Sequence, residues 1–139
     1  MGFFSSFVNA DESIKQCVKR GFDVLETINS HVQWKVSLER YVNGTSDEKF
    51  DIEIICRDDQ CKLGKWIHGS ALECFQADDE GFKTLRNDHA HFHVVASQVV
   101  ANVQAKKKDA AENLMHGEYA YASRKVVHAL TELSKQLTG

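Results

Sequence analysis

Apolar residues recur along most of the chain with the spacing of one face of an α-helix. This pattern predicts a first long helix from about Ala10 to Tyr41, with Asp11 or Ser13 near its start. Turn-forming residues at positions 43–47 then end this helix. A second long helix is predicted from about Asp79 to Lys106. Long helices therefore dominate the predicted fold.

The end of the chain predicts two further helices, over residues 109–115 and 118–137, with a break at His116-Gly117. The last of them carries one apolar face, formed by Val126, Leu130, Leu133 and Leu137.

Two short segments complete the pattern. Residues from Cys61 to Gly69 predict a short helical turn, and Phe50 to Ile54 alternates apolar and polar positions, which predicts a short strand or extended run. The sequence shows no second strand to pair with it. The predicted class is all-α, an antiparallel four-helix bundle with a short extra helix that carries the segment Cys61 to Trp66.

Two histidines interrupt the apolar face of the second long helix. At about 100° per residue, His89 and His93 fall within this face, whereas His91 points the other way. Burying polar side chains without partners is costly, and histidines four residues apart on a helix can close on one metal ion. The pair therefore predicts a metal site, because a bound ion would supply the missing partner.

The composition fits one helical domain. The chain has 139 residues, 42% of them hydrophobic, and no proline. A formal charge of −3 gives no reason to expect nucleic-acid binding, and no segment resembles a signal peptide or a membrane span. We expect residues 1–10, with Phe3, Phe4 and Phe7, to be a flexible or packing segment, and residues 11–139 to be a single zinc-binding helical domain. The Met1 start and the end at Gly139 favour a stand-alone protein.

The expected compartment decides how the four cysteines are interpreted. Without a secretion signal the cytoplasm is the expected location, so we expect no disulfide framework and interpret Cys17 and Cys74 as small core residues. Zinc prefers four nitrogen or sulfur ligands, so the histidine pair needs two more. The candidates are Cys61, at the start of a short helix, and His31, on the flank of the first helix. Taken alone, a cysteine like Cys61 is more often a packed small residue than a ligand. A lone histidine like His31 is more often hydrogen-bonded within the protein.

Three sequence blocks together carry a family resemblance. The segment Cys61-Lys62-Leu63-Gly64-Lys65-Trp66, with His31-Val32-Gln33-Trp34 upstream and His89-x-x-x-His93 downstream, resembles the bacterial chemoreceptor zinc-binding domain family. The resemblance spans about Asp11 to Leu137. It implies that the zinc ligands are His31, Cys61, His89 and His93.

The resemblance also implies roles for the motif around Cys61. Gly64 would let a helix approach closely, and Trp66 would pack beside the site and shield it from water. Lys65 would either support the thiolate electrostatically or be exposed.

A closed four-ligand site leaves no position for substrate, which argues against an enzyme. The resemblance implies a cytoplasmic bacterial sensor of zinc or cysteine oxidation that dimerises and signals to a chemoreceptor or a diguanylate cyclase in chemotaxis or cyclic-di-GMP signalling. The alternative is a purely structural zinc site. A hemerythrin-like iron site at His128 and Glu132 has less support, because these residues share a charged, solvated face.

Overall fold

The computed structural model of the protein describes residues 12–46, 48–75 and 79–138. Within these residues the fold is all-helical and contains no strand, which confirms the all-α part of the prediction. The helices are α1 (Glu12–Gly21), α2 (Val24–Val42), α3 (Ile52–Ile55), α4 (Lys62–Ile67), α5 (Ala71–Cys74), α6 (Glu80–Gln104), α7 (Lys108–His116) and α8 (Glu118–Thr138). The segment 1–10 and Asp11 lie outside the described residues.

The predicted first helix is wrong in one respect, because two residues divide it into α1 and α2. Glycine is a poor helix former, and α1 ends at Gly21. Asp23 then begins a new helix, since its carboxylate accepts a hydrogen bond from the backbone N–H of Glu26 at 3.0 Å. The break places Phe22 face to face with the Trp66 ring, with 4.0 Å between centroids.

The predicted short strand is also wrong. Asp51 caps a single helical turn instead, and its carboxylate accepts the backbone N–H of Glu53 at 2.9 Å. A strand would have needed a neighbouring strand for its backbone groups, and the described residues contain none. The resulting helix α3 packs against α6 and buries Ile55.

The other predicted helices are confirmed to within about two residues. The short helix of the Cys61 segment is α4, and the helix that carries the histidine pair is α6. Asp79 caps α6 by accepting the backbone N–H of Phe82 at 2.9 Å. The predicted break at His116-Gly117 separates α7 from α8.

Helix α6 lies at the centre of the fold. It packs against α8, α7, α3 and α2, and α2 also contacts α7 and α8. Val126, Leu130 and Leu133 are buried as predicted, whereas the side chain of Leu137 is outside the described residues. Burying each such side chain stabilises the fold by about 1.5–3 kcal/mol. No helix in the described parts of the chain is both long and apolar enough to cross a membrane.

Two cysteines overturn an expectation from the sequence. Cys17 on α1 and Cys74 on α5 are joined by a disulfide, so their interpretation as unbonded core residues is wrong. Their pairing follows from the packing of α1 against α5, which brings together residues 57 positions apart. Cys56 and Cys61 are free thiols, the first exposed and the second half-buried.

Candidate metal centre

Cys61 stands at the N-terminus of α4. Its backbone is extended, and its Sγ accepts a hydrogen bond from the backbone N–H of Gly64 at 3.3 Å. The sulfur therefore takes the place of a capping oxygen and is held against the first turn of the helix. This arrangement fixes the direction in which the thiol leaves the short helix.

Gly64 is required by a close approach of two backbone segments. A Cβ at this position would overlap the Asp58 carbonyl oxygen and lie 2.7 Å from the carbonyl carbon. The partner in this approach is the loop at Asp58-Asp59, whereas the resemblance implied a helix. The loop directly precedes Cys61, so Gly64 sets the position of the thiol.

The two other motif residues do not line the cavity beside the donors. Lys65 is exposed. Trp66 is buried against Phe22 and Phe75. Trp34 and Phe92 line that cavity instead.

The histidine pair lies one turn apart in the buried face of α6. His89 is 1% exposed and His93 is 7% exposed, whereas His91 is exposed, as the periodicity predicted. The Nε2 atoms of His89 and His93 lie 3.0 Å apart. Both imidazoles therefore aim at the same point.

Cys61 completes a three-donor group with this pair. Its Sγ lies 3.1 Å from His89 Nε2 and 3.5 Å from His93 Nε2. In a tetrahedral zinc site two nitrogens are about 3.3 Å apart and a nitrogen and a sulfur about 3.6 Å apart, as follows from the bond lengths. Among the described residues, Cys61, His89 and His93 are the group of such side chains that could hold a metal ion. We call them the three-donor group.

The outer partners of the two histidines differ. His93 Nδ1 donates a hydrogen bond to the Ile55 carbonyl at 2.8 Å, so in the neutral ring Nε2 carries the free lone pair and faces the group. His89 Nδ1 is buried and has no hydrogen-bond partner among the described residues. Helix α3 thus orients His93 directly, whereas the orientation of His89 depends on packing.

Burial sets the charge state of the donors. It lowers the pKa of His89 to about 3, with the neighbouring His93 and His31 adding to the effect, and it also lowers the pKa of His93. Burial raises the pKa of the Cys61 thiol, against the opposing hydrogen bond from Gly64. The imidazoles are therefore neutral and ready to bind a cation at pH 7, and the thiol has to release its proton.

His31 lies apart from the three-donor group. It belongs to α2, and its Nε2 is hydrogen-bonded to the Ser123 hydroxyl of α8 at 2.9 Å. It lines a cavity of about 180 Å³ together with all three donors. Burial and the neighbouring His93 lower the pKa of His31 to about 4. Its role as the fourth ligand stays a prediction.

Two contributors to this site were missed from the sequence, Ser123 and the Ile55 carbonyl. Ser123 is 92 positions from His31, and every residue has a carbonyl, so no local pattern marks either of them. The rival iron pair lies among charged side chains, since His128 is exposed and Glu132 forms an ion pair with Lys135 at 3.6 Å, but the Glu132 side chain is half-buried and not fully solvated as predicted.

A family model described as chemoreceptor zinc-binding domain matches residues 31–100, a range that includes all four predicted ligands. Comparisons with curated proteins and with solved structures found no match.

Proposed function

The chain belongs to the chemoreceptor zinc-binding domain family, and from this premise we propose that it is a regulatory domain, without enzymatic activity, that reports zinc availability or thiol oxidation to a signalling partner. Zinc is the metal of this family, and the three-donor group is positioned to hold one ion. That group is the observation that carries the proposal, because two buried histidines and a half-buried cysteine at mutual distances of 3.0–3.5 Å suit zinc binding.

We propose His31 as the fourth ligand, which gives a site of three histidines and one cysteine. Its position on the wall of the shared cavity supports this assignment. We also propose that α2, α6, α7 and α8 form the antiparallel four-helix bundle, since each of the four contacts the other three.

The placement of Cys61 favours sensing over a purely structural role for the metal. Cys61 caps the six-residue helix α4, whereas His89 and His93 belong to the 25-residue helix α6. Oxidation of the thiolate weakens its bond to the metal, and a short helix has little stability of its own. Loss of that bond would release α4 and leave α6 in place.

The remaining elements of the proposal rest on the family and on redox chemistry. We propose a cytoplasmic protein that forms a homodimer and acts on a chemoreceptor or a diguanylate cyclase. Disulfides in the cytoplasm are usually transient or redox-sensing, so the Cys17–Cys74 pair is compatible with a response to oxidants.

The zinc content of purified protein tests the site. We expect about one zinc per chain, and we expect the combined substitution His89→Ala and His93→Ala to abolish retention, because it removes two of the three grouped donors. His91→Ala is the matched control, since His91 lies on the same helix but is exposed. Zinc retained at the wild-type level by the double variant would contradict the proposal.

The substitution Cys61→Ser distinguishes a sensor site from a structural zinc site. If the site is a sensor, the substitution weakens zinc retention and leaves the helical circular dichroism spectrum intact. Cys56→Ser, which changes the exposed free thiol, serves as the control. Unfolding of the Cys61 variant alone would point to a structural zinc instead.

A further inference from the structure

His31 has a competing partner. Its Nε2 is hydrogen-bonded to the Ser123 hydroxyl at 2.9 Å, and Ser123 is 5% exposed. This bond joins α2 to α8, and neither helix carries a member of the three-donor group. In this position His31 is tied to α8 rather than to the donors.

The space needed to change this arrangement is present. A cavity of about 180 Å³ is lined by His31 and by the three donors, so there is space beside the imidazole on the side of the donors. Neither nitrogen of His31 belongs to the three-donor group, so the ring has to move to place one there. Nε2 is the atom that bonds to Ser123, so binding the metal through Nε2 and keeping the bond to Ser123 oppose each other.

We propose that Ser123 competes with the metal ion for His31, so that zinc binding exchanges a contact between α2 and α8 for a contact between α2 and the three-donor group. The proposal rests on the proposed function, because it takes a zinc ion at that group as given. Ser123 acts here as a positioning residue that sets how readily His31 completes the site.

The proposed movement of His31 also affects residues that are not ligands. The His31 ring packs on Phe92 at 4.6 Å between centroids, and Phe92 contacts both Trp34 and Tyr119, at 5.8 and 5.1 Å. Tyr119 precedes Ser123 by one helical turn, and its ring is fully buried. Movement of His31 therefore changes the packing of aromatic rings between α2, α6 and α8, and this gives metal occupancy a structural readout.

The test is a double-mutant cycle on zinc affinity, measured by competition with a chromophoric chelator. We expect Ser123→Ala to tighten zinc binding roughly three- to tenfold, the size expected for relief of one competing hydrogen bond. In the His31→Ala background the same substitution should have no effect, because the contested side chain is absent. Ser97→Ala is the matched control, since Ser97 is a buried serine of α6 whose hydroxyl bonds to the Val94 carbonyl.

Trp34 supplies a second readout. In a Trp66→Phe protein the fluorescence comes from Trp34, which lines the cavity with His31. We expect zinc to change this fluorescence, and His31→Ala to abolish most of the change.

The outcomes separate the two proposals. Unchanged or weaker zinc binding by Ser123→Ala would overturn the competition, and weaker binding would mean that Ser123 supports His31 as a ligand. An effect of equal size in the His31→Ala background would overturn it as well. Failure of the wild-type protein to bind zinc at all would instead contradict the proposed function.

Discussion

Gly64→Ala tests whether the loop before Cys61 controls the metal site. The added Cβ would overlap the Asp58 carbonyl oxygen, lie 2.7 Å from the carbonyl carbon and lie 3.0 Å from Asp59 Cα. Carbon atoms in ordinary contact are about 3.5–4.0 Å apart, so the loop has to retreat by about 1 Å. All of the nearest atoms belong to the backbone, and no side-chain rotation relieves the overlap.

The displacement matters because the loop leads directly into Cys61. Metal–ligand distances tolerate only about 0.2 Å, several times less than the required retreat. We therefore expect zinc affinity to fall by about 10–100-fold, the range found when the support of a ligand is disturbed. The overpacking itself should lower the free energy of unfolding by about 1–3 kcal/mol.

Chelator competition measures the affinity, and urea unfolding followed by circular dichroism measures the stability. Gly117→Ala is the matched control, because its Cβ would meet the Asn113 carbonyl oxygen at 3.0 Å. Whatever that contact does to stability, Gly117 lies outside the lining of the cavity, so zinc affinity should keep its wild-type value. Wild-type zinc affinity in Gly64→Ala would refute the reasoning.

Two further predictions concern pH and redox state. Burial lowers the pKa of His89 to about 3 and that of His31 to about 4, from 6.5, so the unfolded chain binds more protons as the pH falls below 6.5. The free energy of unfolding of the zinc-free protein should therefore fall as the pH is lowered from 6.5 to 4. Urea unfolding midpoints that do not change over this range would contradict the lowered pKa values of these two histidines. The disulfide closes a loop between residues 57 positions apart, so its reduction should lower the free energy of unfolding by up to about 4 kcal/mol. Unfolding with and without reductant measures this effect, and a Cys17→Ser, Cys74→Ser protein that does not respond to reductant is the control.

Local patterns in the sequence predicted the parts of the site that lie on one element. The spacing of His89 and His93 decided their shared buried face, because helical periodicity acts over a few residues. The division between α1 and α2 also had a local signal, a glycine followed two positions later by an aspartate that caps, and the continuous apolar pattern outweighed it. The Cys17–Cys74 bond and the contact between His31 and Ser123 had no such signal, since tertiary packing alone brings these residues together.

Among the contacts that hold the segment that carries Cys61, three decide how it responds to an oxidant. The Ile55 carbonyl accepts a hydrogen bond from His93, Cys61 itself belongs to the three-donor group, and Cys74 is bonded to α1. The helices α3, α4 and α5 between and around these points have four to six residues each, too few to be stable alone. Their positions therefore depend on these attachments and on packing.

Two of these attachments, at Cys61 and at Cys74, depend on cysteine sulfur. An oxidant affects them in opposite ways. Oxidation forms the Cys17–Cys74 bond and so fastens α5 to α1, whereas oxidation of Cys61 would remove its thiolate from the metal and loosen the start of α4. The hydrogen bond at Ile55 is affected by neither reaction. Under the proposed function, the response to an oxidant is therefore confined to α4 and the loop at Asp58-Asp59, while both ends of the segment remain fixed.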